Sequence, residues 1–107
     1  DKFIATRTGG LNGEYKSLEI DLSTGYFFNQ VNQRGRMTPD DLKILVDIIS
    51  SDQFKLLDPK YITPGSSSLA YRYTFSAYDK YGTTLDLKSK YPPFLDSLIS
   101  IFERYNS

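Results

Sequence analysis

Apolar and polar residues alternate along the first third of the chain and again between positions 69 and 87. After each of these regions the spacing becomes helical. Lys2 to Thr8 sets Phe3 and Ala5 against Ile4 and Thr6, the period of two expected of a short strand. Glu14 to Leu22 alternates more clearly, with Leu18, Ile20 and Leu22 on one face and Glu19 and Asp21 on the other. The turn signal Ser23-Thr24-Gly25 follows, and Tyr26 to Asn32 resumes as a third strand. So tight a connection makes these two strands antiparallel neighbours. Gln33 to Met37 closes the hairpin region.

From Thr38 the period is helical. Thr38 is suited to cap the helix, Pro39 to open it, and Asp40 and Asp41 to oppose the positive end of its dipole. Asp41, three residues past the cap, can take the acidic role in a capping box. Leu42, Leu45, Val46 and Ile49 form an apolar stripe that Ile44 and Ile48 widen. The helix is expected to end near Ser51, with Phe54, Leu56 and Leu57 folding back under the sheet. Asp58 to Ser68 is rich in Pro, Gly and Ser and reads as a surface connection.

A second hairpin comes next. Leu69, Tyr71, Tyr73, Phe75 and Ala77 share one face, and Arg72, Thr74, Ser76 and Tyr78 the other. Asp79 to Gly82 supplies the turn, and Thr83 to Ser89 returns with Leu85 and Leu87 inward. Pro92 to Asn106 reads as a closing helix with Pro93 near its start. Its buried stripe is Phe94 or Leu95, Leu98, Ile101 or Phe102, and Tyr105. The pattern predicts an α+β fold over residues 1–107, a single domain. Its frame is an antiparallel β-sheet of four to five strands with two helices packed on one face. Each helix has one apolar stripe, so the opposite face of the sheet is left to solvent.

Composition narrows the chemistry. The 107 residues suffice for one core, and a hydrophobic content of 39% with 24% charged residues speaks against disorder. Thirteen basic residues balance thirteen acidic ones, interleaved along the chain, so the basic patch that nucleic acids require is not written here. The chain contains no Cys and no His. That removes thiol, Ser-His-Asp and Cys-His mechanisms and the usual zinc and copper ligand sets. No catalytic residue, metal ligand or cofactor is therefore expected, and no enzyme. No apolar run is long enough to span a bilayer, although a lipid anchor would not need one. A cysteine-free domain folds in either redox compartment. Opening on Asp1 rather than Met, the chain reads as a processed or trimmed product.

Nine Tyr and seven Phe, without a Trp, form the most unusual feature of the composition. Tyrosine suits half-buried sheet faces and binding surfaces alike. One functional reading is thus a non-catalytic envelope or secreted binding module, in which Tyr71, Tyr73 or Tyr78 forms an aromatic platform for a glycan or protein partner. Paired carboxylates carry less. Asp40 and Asp41 are explained by helix capping, and Glu19 and Asp21 by solvation on a strand.

Gly9, Gly10 and Gly13 fall within five residues between two strands. The stretch lacks the Lys-Ser/Thr ending of a phosphate-binding loop and precedes a strand, not a helix. Backbone without Cβ allows another main chain to come close. Leu11 would then project from the tip, beside Asn12, which tolerates the left-handed conformation.

This loop, a helix leading into Asp52-Gln53-Phe54-Lys55-Leu56-Leu57, the tyrosine hairpin from Tyr71 to Leu87 and the amphipathic last helix together resemble one family over nearly the whole chain. The chain resembles emfourin and its protealysin-inhibitor relatives, small protein inhibitors of thermolysin-like metalloproteases. The family loop reads Gly-Gly-aromatic-Ala-Gly, with Leu11 and Asn12 at its two middle positions here. The resemblance implies a secreted, periplasmic or envelope-associated monomer that occludes the substrate cleft of an extracytoplasmic metalloprotease. The partner-binding residues it implies are Gly9, Gly10, Leu11, Asn12 and Gly13, flanked by Arg7 and Tyr15.

Overall fold

Ten elements build the chain in a computed structural model that describes residues 1–66 and 69–106. In order they are β1 (Lys2–Gly9), β2 (Glu14–Asp21), β3 (Tyr26–Asn29), β4 (Arg34–Arg36), α1 (Pro39–Ile49) and α2 (Asp52–Lys55). Then come β5 (Lys60–Tyr61), β6 (Arg72–Ala77), β7 (Tyr81–Asp86) and α3 (Leu95–Arg104). The architecture is α+β, with a larger sheet than its sequence pattern predicts. Among the described residues the sheet has seven strands in the order β4-β3-β2-β1-β6-β7-β5. It is mixed rather than purely antiparallel, because β5 runs parallel to β7.

The two strands beyond the expected count are the shortest. In β4 two arginines flank a glycine, and β5 is two residues inside the Pro/Gly-rich connection, so neither presents an alternating apolar face. Their positions come from pairing with neighbours already in place, Tyr26 opposite Arg36 and Lys60 opposite Thr84. Of the expected surface connection, Ser67 and Ser68 lie outside the described residues.

Strand parity fixes the core. Phe3 and Ala5 face Ile20 and Leu18 across one ladder and Ala77 and Phe75 across the other, and all six are buried. Leu45 and Ile49 of α1 and Leu95, Leu98, Ile101 and Phe102 of α3 complete the same cluster. The rings of Phe3 and Phe75 stack across the β1–β6 pair, and Phe102 meets Tyr73 edge-on. Two leucines depart from the expected inward positions. Leu56 is 81% exposed, and Leu87, just past the end of β7, is 42% exposed. The reason for Leu56 is α2, a third, single-turn helix. Its cap Ser51 accepts from the Phe54 amide at 3.2 Å, and the turn drives Phe54 inward while Leu56 points away.

Thr38 caps α1 as expected, accepting from the Asp41 amide at 3.2 Å. The capping box does not form. Asp41 spends its carboxylate on α3 instead, pairing with Arg104 and accepting from the Tyr105 hydroxyl at 2.6 Å. That hydroxyl also accepts from the Thr38 amide at 3.1 Å, so a tyrosine from the far end of the chain replaces the box. Burial by itself would raise the Asp41 pKa. The bonds from Tyr105 and Arg104 outweigh it and hold the carboxyl below its ordinary range.

A folded-state pKa below the unfolded value of about 3.9 contributes stability that is complete above that pH and lost as pH falls through the folded value. Asp86, fully buried, is likewise held low despite its burial by Ser66 and Ser89. Thermal melts from about pH 5 down to about pH 2 are therefore expected to show a falling midpoint that begins near pH 4. Asp41→Asn should flatten part of that slope at the acid end. An identical slope in the variant would mean that the α1–α3 pair contributes nothing to it.

Candidate partner-binding loop

Strands β1 and β2 pair from Lys2–Asp21 to Gly9–Glu14, leaving residues 10–13 as the tip of their hairpin. The Gly13 amide donates to the Gly10 carbonyl at 3.2 Å and closes the tip as a turn. All three glycines have positive φ, at 115°, 80° and 60° for Gly9, Gly10 and Gly13.

Two of them meet a second constraint. A Cβ on Gly9 would lie 2.4 Å from the Ala70 carbonyl oxygen, and one on Gly10 would lie 3.0 Å from the Tyr71 ring. The segment entering β6 thus runs against the base of the loop, and the Gly10 amide donates to the Leu69 carbonyl at 3.1 Å. The glycines let a buttress approach from within the molecule. Above it Leu11 is 86% exposed, and Asn12 and Gly13 are exposed beside it.

The flanking residues separate. Tyr15 is exposed and, by the alternation of β2, stands on the face of the sheet away from the helices. Arg7, expected beside the loop as a contact, lies on the core face in the parity of Phe3 and Ala5 and is only 8% exposed. Its guanidinium donates twice to Glu103 of α3, at 2.8 and 3.0 Å, and stands 3.6 Å from Glu14. It also lies 4.4 Å from the centre of the Tyr71 ring. Two hydroxyls extend the network, Tyr73 to Glu103 at 2.6 Å and Tyr71 to Glu14 at 2.8 Å. Burial first, and then the bond to Glu103, raises the Tyr73 pKa far above its ordinary value. The bond to Glu14 raises that of Tyr71. Both phenols therefore remain neutral donors to carboxylates at neutral pH. Loop, buttress and C-terminal helix are joined through one arginine.

These placements also remove the expected tyrosine platform. Tyr73 is 2% exposed in the core, Tyr71 is half-buried against Arg7, and Tyr78 is half-buried in the turn after β6. Exposed aromatic rings sit elsewhere, at Tyr15, Tyr26 and Phe28.

Among the described residues no three His, Cys, Asp or Glu side chains gather closely enough to hold a metal ion. Among the same residues no helix is long and apolar enough to cross a membrane. Compared with models of known families, with curated proteins and with solved structures, the chain matches none.

Proposed function

We propose that the protein is a proteinaceous inhibitor of an extracytoplasmic metalloprotease, acting by insertion of the loop at residues 9–13 into the substrate cleft. The observation that carries this reading is the exposure of Leu11, a large apolar side chain in solvent on a backbone tied to the body of the domain. An isolated exposed leucine needs no explanation. One raised on a braced turn is different, because the backbone entropy of ordering the turn has been lost already on folding and is not charged to binding.

The turn also accounts for survival in a protease cleft. Peptide substrates are bound extended, as an added strand. Here the chain from Gly10 to Gly13 is closed on itself by the Gly13–Gly10 bond, so the peptide groups around Leu11 are held away from the extended form. Lacking His and Cys, the chain offers a zinc ion only carboxylate, carbonyl, amide or terminal amine groups, and the loop blocks by filling space with Leu11 and Asn12. The resemblance of the loop and the surrounding pattern to emfourin-type inhibitors points to thermolysin-like enzymes as the class.

A panel of thermolysin-like proteases, assayed with casein or a peptide substrate against increasing inhibitor, tests this. Stoichiometric inhibition of at least one member is expected, with the inhibitor recovered at unchanged mass. Indifference across the panel would overturn the proposal.

A further inference from the structure

The helices cover one face of the sheet, and on the other face an open hollow of about 330 Å³ lies over β2 and β3. Its walls include Lys2, Glu19, Asp21, Tyr26, Phe28 and Arg34. Tyr26 and Phe28 stand two residues apart on β3, so they share this face, and they are 55% and 40% exposed. Each ring is backed by the arginine opposite it on β4. Arg36 lies 4.8 Å from the centre of Tyr26, and Arg34 lies 5.5 Å from that of Phe28. Each ring thus has a guanidinium against it before anything binds, and Arg36 is not part of the wall.

Charge on this face is interleaved rather than gathered. Lys2 pairs with Glu19 at 3.5 Å, and Asp21 accepts from both the amide and the hydroxyl of Ser23 on one oxygen. An anionic ligand would meet Glu19 and Asp21, and a cationic one would meet Lys2 and Arg34. A neutral ligand meets neither penalty. The ligand that matches has an apolar face to lie on the two rings and an edge of hydroxyls that can donate to carboxylates and accept from a guanidinium. We propose that this hollow binds a neutral saccharide, one sugar ring seated on Tyr26 and Phe28 with its hydroxyls bonded by Glu19, Asp21 and Arg34. The volume lies at the small end of ligand sites, room for one or two sugar rings within the hollow itself.

The site is on a different surface from Leu11 and does not depend on the inhibitor reading. Backbone amide NMR with maltotriose, cellotriose and chitotriose as neutral probes tests it, alongside short oligo-aspartate and oligo-lysine peptides. At least one trisaccharide is expected to shift amides in β2, β3 and β4 with an affinity unchanged by added salt. Tyr26→Ala and Phe28→Ala should each weaken that binding about tenfold. Both rings are exposed, so these variants should fold, and an unchanged amide spectrum elsewhere verifies it. Leu11→Asp should leave saccharide binding as it was. Silence with all three trisaccharides would overturn the proposal, as would binding confined to a charged peptide and lost in salt.

Discussion

Leu11→Asp is expected to abolish protease inhibition while leaving the melting temperature of the domain where it was. The side chain touches little in the free protein, so folding is nearly indifferent to its identity. In the cleft the same substitution buries a carboxylate against an apolar pocket without a partner, a cost of several kcal/mol. Leu11→Ala separates lost contact from introduced charge. Truncation of a central apolar anchor costs about 2 kcal/mol or more, which is roughly a thirtyfold rise in inhibition constant. Leu11→Phe should retain inhibition, since the turn carries the side chain outward whatever its shape. Should Leu11→Asp inhibit as well as the parent chain, contact through this loop is ruled out and the proposed function goes with it.

How far the sequence exposes this site depends on what each residue contacts. The loop was legible because its constraint is local: three glycines in five positions call for positive φ or close approach, and the structure shows both. The main elements were legible for the same reason, since Thr38 with Pro39 and the alternation around Leu18 and Ile20 are patterns within a few residues. Leu56 was not, because a single helical turn reverses direction too quickly for periodicity to register. The tyrosine hairpin shows a different limit. Its parity is plain in the sequence from Tyr71 to Ala77, but which of its faces meets the helices is a tertiary fact, and Tyr73 lies inside.

The most informative residue read at the wrong level is Arg7. Its odd position puts it in register with Phe3 and Ala5, which announces a buried guanidinium and hence a carboxylate that must come to meet it. The sequence offers thirteen acids and no means of choosing Glu103, ninety-six residues away. Once that pair is known, Tyr73 is placed as a second donor to Glu103, and the Tyr71 ring and Glu14 as the groups beside a guanidinium whose Nε keeps no hydrogen-bond partner.

Glu103→Ala is accordingly expected to destabilise the domain by about 2–3 kcal/mol, read as a lower urea midpoint at unchanged slope. Removing one partner of a fully buried pair costs roughly 3–5 kcal/mol, because the remaining charge is stranded. Here the Arg7 side chain is only 10% exposed while that of Glu103 is 40% exposed, so water reaches the carboxylate side and moderates the loss. Glu14, at 3.6 Å, cannot replace a two-bond partner. The double variant Arg7→Met with Glu103→Leu should recover part of the stability, since it leaves no stranded charge and fills a similar volume, while the buried Tyr73 hydroxyl loses its acceptor. Its effect on the loop differs from its effect on stability. Without the guanidinium against it, the Tyr71 ring loses one of the contacts that hold it under Gly10, and the base of the hairpin loosens. The double variant is thus expected to be more stable than Glu103→Ala but a weaker inhibitor than the parent, with faster amide exchange confined to residues 9–13. Full inhibition by that variant would show that the turn and the Leu69 bond brace Leu11 without help from the arginine.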